Sequence, residues 1–411
     1  MPRRLAAVVI LIGVSIFINY IDRGNLSTAA TLVKNELHLS ATQLGFLLTA
    51  FFITYMPMQP VVGWLVDRFT ASRVLVAGFV VWSLATTLSG FAEGFTALFA
   101  CRLILGLGES VSFPSAAKIL AENVPEAQRG LANGIVQSGL AFGPAFGVLF
   151  GGMLIAAFGW RPFFIGFGLV SLLWIGAWMA FAARNVRHSD ASQAPDAPAT
   201  ALVLRQPSLW GASLAQFCSN FLLYFILTWI PYYLVNERHW SLRQMALIAG
   251  TSYLLTGISM VAGGAIADRF IRRGASPTFV RKATFGVGAV GAAIGMIGCG
   301  YSSDISSAAW LMFAGAAGGL LGMNIFVAAQ TMAGPAATAR WVGVQNMLGN
   351  VAGIVAPSLT GILVDRTGSF TLPFTIAALM ALSSGAAWIF LVGPMVPIDW
   401  SCRKSLAAEA A

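Results

Sequence analysis

The sequence predicts an all-α polytopic membrane protein, with twelve transmembrane helices in two pseudo-symmetric six-helix bundles. Three observations carry that prediction. Of 411 residues, 57% are apolar and 9% charged, whereas a soluble domain carries about 25% charged residues to keep its surface wet. The apolar residues fall into runs of roughly 20 or more, enough to cross about 30 Å of hydrocarbon. A short motif also recurs at matching places in the two halves. The composition excludes a water-soluble globule of this length and equally a disordered chain.

The runs that read as spans cover residues 5–32, 42–64, 74–92, 95–121, 131–157 and 162–184, then 209–235, 245–267, 280–300, 306–332, 341–364 and 371–393. The first run follows Arg3 and Arg4, as a secretory signal would. It is too long for a signal core, lacks a small-residue cleavage site and contains Asp22 and Arg23, so it reads as a retained helix. Residues 185–208 break the apolar pattern with Arg187, His188, Asp190, Asp196 and two prolines. They read as a cytoplasmic linker between an N-terminal bundle, 1–184, and a C-terminal bundle, 209–411.

Charge distribution sets the orientation. With both termini cytoplasmic, only Lys34, Arg161, Arg238, Arg243 and Arg366 of the 24 Lys and Arg fall outside, and Arg23 and Arg102 lie within spans. Cytoplasmic loops are enriched in these residues, so the net charge of +9 reads as an orientation signal and not as a mark of nucleic acid or another acidic partner. Cys101, Cys218, Cys299 and Cys402 are far apart, and His38, His188 and His239 fall in predicted loops. No metal site or redox framework is expected, and no nucleophile–base pair suggests an enzyme.

Residues 63–69 read Gly-Trp-Leu-Val-Asp-Arg-Phe and residues 264–270 read Gly-Ala-Ile-Ala-Asp-Arg-Phe. Each follows the second helix of its half. Gly63 and Gly264 permit close helix approach, while Asp67 and Asp268 can receive hydrogen bonds or charge from a neighbouring loop; Arg68 and Arg269 complete the motif. A third copy at Gly361, Asp365 and Arg366 falls on the opposite side, so position carries the argument more than the pattern does. Duplicated halves with a substrate site between them are the construction of many secondary transporters.

These loops resemble the signature loops of the major facilitator superfamily, and the resemblance covers nearly the whole chain. It implies two bundles rocking around a central cavity that opens alternately to each side.

Ionisable groups inside spans cost at least ~2.5 kcal/mol each, so Asp22 and Arg23 in the first span and Arg102 and Glu109 in the fourth need a reason. Asp22 and Arg23 point about 100° apart, whereas Arg102 and Glu109, seven apart, share a face. Cross-helix pairing between the first and fourth spans would compensate both signs. An arginine offers a fork for a carboxylate, and a carboxyl poised between desolvation and a neighbouring cation can load and release a proton. Together these make a proton–anion symporter.

The stretch Asn19-Tyr20-Ile21-Asp22-Arg23-Gly24-Asn25-Leu26-Ser27 resembles the helix 1 motif of the anion:cation symporter family, which includes sialin, vesicular glutamate transporters and bacterial galactonate and hexuronate transporters. Arg102 to Glu109 followed by Phe113-Pro114 is similar to that family's helix 4 motif, and Gly361 to Phe370 to its helix 11 end. The resemblance makes Arg23 the substrate-carboxylate anchor, beside Tyr20. It makes Asp22 and Glu109 protonation sites, with Arg102 as the partner that tunes Glu109. Tyr55 lies where bacterial members place a substrate-contacting tyrosine, although a packing role fits it nearly as well.

Gln137, Asn324, Asn346 and Asn350 sit at cavity-facing depth, where they could serve a hydroxylated cargo or bond helix to helix. Tyr224, Trp229, Tyr232 and Tyr233 could gate the outer mouth or form an aromatic belt. Gly139, Gly143, Pro144 and Gly147 resemble a motif of drug–proton antiporters but read first as close packing with a kink.

The function expected is therefore proton-coupled uptake of a small organic anion, a sugar acid first, by a monomer in a bacterial inner membrane. The proton is the coupling ion, and no other cofactor is expected. The alternative is an antiporter that exports a drug-like compound or exchanges organic anions.

Overall fold

The structure is a computed structural model that describes residues 1–39, 41–182, 186, 198–302 and 305–400. It is a bundle of long helices with no strand among the described residues. Eleven of them are long and apolar enough to cross a membrane: α1 Arg3–Thr28, α2 Phe46–Arg68, α3 Ala71–Ser89, α4 Phe95–Asn123, α6 Trp160–Phe181, α7 Pro207–Ile230, α8 Leu247–Arg272, α9 Pro277–Tyr301, α10 Ser306–Met332, α11 Gly334–Val364 and α12 Thr371–Leu391.

The fifth span, α5, runs as Arg129–Phe146, a π segment Gly147–Gly151 and Gly152–Phe158. Its apolar signal is diluted because Asn133, Gln137, Ser138, Gly139 and Gly143 face other helices and not lipid. Pro144 removes a ladder hydrogen bond just before the π segment, which accounts for the irregularity there. The twelve helices form the fold expected from the sequence.

Large apolar side chains such as Phe150, Phe158, Leu173, Phe279 and Phe390 are exposed around the outside. In water they would be a liability; in a bilayer they are the solvated surface. Inside, α5 packs on α1 and α8, α2 on α4 and α11, and α9 on α10 and α12. The α5–α8 and α2–α11 contacts are the two seams that join the halves.

One end of the bundle, here termed the tail end, gathers Met1 beside Asp268 and Arg272. The segment Ile398–Trp400 lies at the same end, bonding the backbone of Met332 and Ala333. Of the expected linker, residues 185 and 187–197 lie outside the described residues. Its last part forms the short helix Thr200–Leu204, and the Pro198 carbonyl accepts from Arg340.

Candidate functional site

Four charges lie within the N-terminal half, and their pairing is specific. Arg23 Nε donates to Glu109 Oε2 at 2.9 Å; the Arg23 side chain is 12% exposed and Glu109 fully buried. The guanidinium also lies 4.6, 4.8 and 4.5 Å from the ring centres of Tyr20, Phe51 and Tyr55. Three ring faces give a desolvated cation partial compensation. Among the described residues Arg23 Nη2, Glu109 Oε1 and Asn19 Oδ1 make no well-formed hydrogen bond, although Asn19 lies beside Glu109 and Tyr224 beside Arg23. Buried polar atoms are nearly always satisfied, so the free atoms about this ion pair are candidate contacts for a bound group.

Glu109 is therefore ion-paired with Arg23, the cross-helix pairing expected between the first and fourth spans, while Arg102 acts on it only from a distance. Arg102 and Glu109 share a face, but two helical turns separate them by about 10.5 Å along the axis. Arg23 comes level with Glu109 from the neighbouring helix. Arg102 is buried, makes no ion pair among the described residues, and lies 5.7 Å over the Phe51 ring. Asp22 is likewise buried within the N-terminal half, accepting from Thr86 Oγ1 at 2.8 Å and Asn25 Nδ2 at 3.4 Å. It is turned towards α3, away from the Arg23 ring cage.

A chain of neutral groups links this cage to the other half. Tyr55 stacks on Phe51, and its hydroxyl accepts from Asn346 Nδ2 at 3.2 Å. Asn346 Oδ1 accepts from Gln216 Nε2 and Asn350 Nδ2, both at 2.9 Å. Tyr224 donates to Asn350 Oδ1 at 2.6 Å. Tyr55 of α2, Asn346 and Asn350 of α11 and Gln216 and Tyr224 of α7 thus form one network across the seam. Gln137 of α5 also reaches the other half, donating to the Gly322 carbonyl of α10 at 3.4 Å, with Oε1 unpartnered among the described residues.

For several residues the structure shows the packing reading. Asn324 Nδ2 bonds Thr284 Oγ1 and the Leu320 carbonyl, tying α10 to α9. Tyr233 is buried, its hydroxyl bonded to the Cys299 carbonyl and its ring packed on Phe370 and Phe374. Trp229 donates to the Pro357 carbonyl. These two hold the C-terminal half together; the Tyr232 side chain lies outside the described residues. Gly139 and Gly143 let α5 approach Phe17 and Tyr20 of α1 so closely that a Cβ would collide, which accounts for both glycines by packing.

Sequence reasoning missed Gln216, Phe51 and Gln59. Gln59 is fully buried with neither amide atom partnered. A lone neutral amide in an apolar helix carries no pattern that would single it out.

At the tail end the repeated loops act as two latches. Asp67 accepts from the Arg340 backbone N–H at 3.2 Å, from Arg340 Nε at 2.8 Å and from Lys118 Nζ at 3.4 Å. Asp268 accepts from the N–H groups of Gly130 and Leu131, at 2.9 and 2.7 Å, and from Arg281 Nη2 at 2.7 Å. The second carboxylate caps the first turn of α5, where free N–H groups favour an anion.

A Cβ on Gly63 would meet the Ala339 carbonyl oxygen at 2.6 Å, and one on Gly264 would collide with that of Gly130. The aspartates and glycines of the motif make the latches, whereas Arg68 and Arg269 are exposed. A reciprocal amide pair, Asn133 with Gln330 at 2.8 and 3.0 Å, also ties α5 to α10. Among the described residues no group of three His, Cys, Asp or Glu could hold a metal ion.

Two six-helix halves latched at one end, with a buried charged centre in the N-terminal half, have the architecture of a membrane transporter. Comparison with known proteins narrows the class. The model of the Major Facilitator Superfamily matches residues 12–280. The chain is 32% identical over 95% of its length to the "Probable sulfoacetate transporter SauU" of Cupriavidus necator, covering 94% of that protein.

It is 31% identical to the "Hexuronate transporter" of Bacillus subtilis, covering 92% of each chain. It is also 30% identical to the "Probable galactarate/D-glucarate transporter GarP" of Escherichia coli K12, covering 94% of each. The fold matches crystal structures of FucP in the outward conformation (TM-score 0.75, 16% identity, 93% of this chain and 98% of that one). It also matches the proton:xylose symporter XylE (TM-score 0.75, 15% identity, 95% and 96%). The chain belongs to the Major Facilitator Superfamily.

Proposed function

We propose that this protein carries a small organic anion, a sugar acid, together with protons into a bacterial cell across the inner membrane. The observation that carries the reading is the Arg23–Glu109 pair with its unpartnered Nη2 and Oε1 inside a cage of three rings. An incoming carboxylate takes the free edge of the Arg23 fork. Arg23 then shares its charge between two carboxylates, and a buried Glu109 left undercompensated takes up a proton. Loaded carrier therefore holds anion and proton together, which is symport.

Relatives whose names give hexuronate and galactarate/D-glucarate as cargo support a sugar acid, as do the neutral donors and acceptors of Gln137, Asn346 and Tyr55. On this reading the tail end faces the cytoplasm, each chain works as a monomer, and the described contacts represent the state latched on that side. Release requires Asp67 and Asp268 to part from α11 and α5, with the halves rocking about the site. Asp22, buried beside Thr86, is a second proton site that responds to the charge of Glu109 and Arg102.

The test is uptake by purified protein in liposomes. A pH gradient, acid outside, drives accumulation of D-galactonate or D-glucuronate, and a protonophore abolishes it. Carboxylate uptake indifferent to both treatments excludes coupling.

A further inference from the structure

The two seams that join the halves are built from matching positions, and they differ at one of them. Along α2, Gln59, Gly63 and Asp67 follow one another at one-turn steps; the same steps in α8 carry Met260, Gly264 and Asp268. Gly63 abuts the Ala339 carbonyl of α11, and Gly264 the Gly130 carbonyl of α5. One turn further from the latches the match continues with the roles exchanged. The backbone carbonyl of Gln59 lies against Gly343 of α11, and that of Met260 against Gly134 of α5. Both side chains are buried.

Packing at this position therefore asks only for a side chain shaped like methionine, and the Gln59 amide is surplus to it. Its Oε1 and Nε2 make no hydrogen bond among the described residues, and an amide held out of water without partners is costly. The helix is also weaker here than its counterpart. Residues 57–60 read Pro-Met-Gln-Pro where residues 258–261 read Ile-Ser-Met-Val. Pro57 and Pro60 both lie inside α2. Each removes a ladder hydrogen bond, to the Ile53 and Met56 carbonyls, so α2 bends at Gln59 more readily than α8 bends at Met260.

We infer that Gln59 drives the release step: its amide, unpaired while α2 is latched to α11, gains partners when that seam parts, and so favours the tail-open state. The inference rests on the reading of a carrier whose halves rock apart at the tail end. Water entering the parted seam satisfies both amide atoms. The α5–α8 seam has no such group at the matching position. It stays the firmer of the two, and the α2–α11 seam opens first.

The test is the distance between spin labels on the full-length protein in liposomes, its native cysteines replaced by serine. Phe69→Cys with Pro335→Cys reads the α2–α11 seam, and Glu126→Cys with Phe270→Cys reads the α5–α8 seam; all four positions are exposed. Gln59→Met, the residue the other half uses, should lower the tail-open population across α2–α11 about tenfold, the scale of one unpaired buried amide. It should also raise the thermal midpoint of the empty protein, which loss of a merely structural contact would not do. Gln59→Leu repeats the measurement if the first variant does not fold. Met260→Gln, the converse, should raise the open population across α5–α8.

An open population that stays unchanged or rises in the Gln59 variants, or a thermal midpoint that falls, overturns the inference while leaving the rocking carrier intact. Labels that never separate across either seam of the wild-type protein, with or without D-galactonate, overturn the rocking reading, and the inference falls with it.

Discussion

Replacing Glu109 with glutamine isolates the coupling step. The substitution keeps the shape but removes the charge that Arg23 meets at 2.9 Å. Stripping one partner from a fully buried pair costs about 3–5 kcal/mol. Arg23 keeps 12% exposure and three ring faces within 4.8 Å, so roughly 2 kcal/mol is the figure to expect here.

The empty protein should lose about that much stability. An anion that restores the missing countercharge should recover it as affinity, about 30-fold tighter binding. Wild-type binding should weaken as pH rises, because ionised Glu109 competes for Arg23; in Glu109→Gln that slope should vanish. Calorimetry across a pH series reads both effects. In liposomes the variant should exchange anion for anion yet fail to accumulate it against a gradient. Wild-type accumulation by Glu109→Gln, or a wild-type affinity indifferent to pH, would refute the reasoning.

Three further outcomes follow from the latches and the far end. Asp268→Asn leaves Arg281 buried without its carboxylate and weakens two backbone bonds, so stability should fall by about 3–5 kcal/mol, read by chemical denaturation. Gly264→Val places side-chain atoms where Gly130 now sits against α8; the halves should part at the tail end. Thiol labelling of cysteines placed along the α5–α8 seam should then rise several-fold, and unchanged labelling would show that the seam does not open there.

At the far end Glu36 accepts from Trp160 Nε1 and Arg161 Nε, both at 2.6 Å. The bonds from Arg161 and Trp160 hold its carboxyl below the usual range. A depressed folded pKa stabilises above the unfolded value and is lost as pH falls through the folded one. Thermal stability should therefore drop on acidification, and Glu36→Gln should flatten that part of the profile.

The helices were legible because a bilayer demands long apolar runs, and such runs survive reading without any partner in view. α5 was readable as a span even though its apolar signal falls short, since Asn133, Gln137 and its glycines spend their faces on α1 and α8. The repeated loops were legible by position, and Asp67 and Asp268 turned out to be the groups that receive backbone and side-chain donors. The motif's own arginines, Arg68 and Arg269, are not the donors; those are Arg340, Lys118 and Arg281 elsewhere in the chain.

The charged centre was visible as four residues paired between the first and fourth spans, but which acid meets which arginine was not. Glu109 meets Arg23 because α1 brings it level, and helix register between separate spans leaves no trace in either span's sequence. The amide network through Gln216, Asn346 and Asn350 was harder still. Such residues bond within a half as readily as across a seam, as Asn324 does with Thr284.

The most direct measurement of the central claim is the pH of a lightly buffered suspension of protein-loaded liposomes as a sugar acid is added. Entry of anion and proton together at the Arg23–Glu109 site should make the medium more alkaline in step with uptake, and Arg23→Ala should abolish both signals. Uptake with no alkaline shift, or uptake and shift that survive Arg23→Ala, would contradict the account.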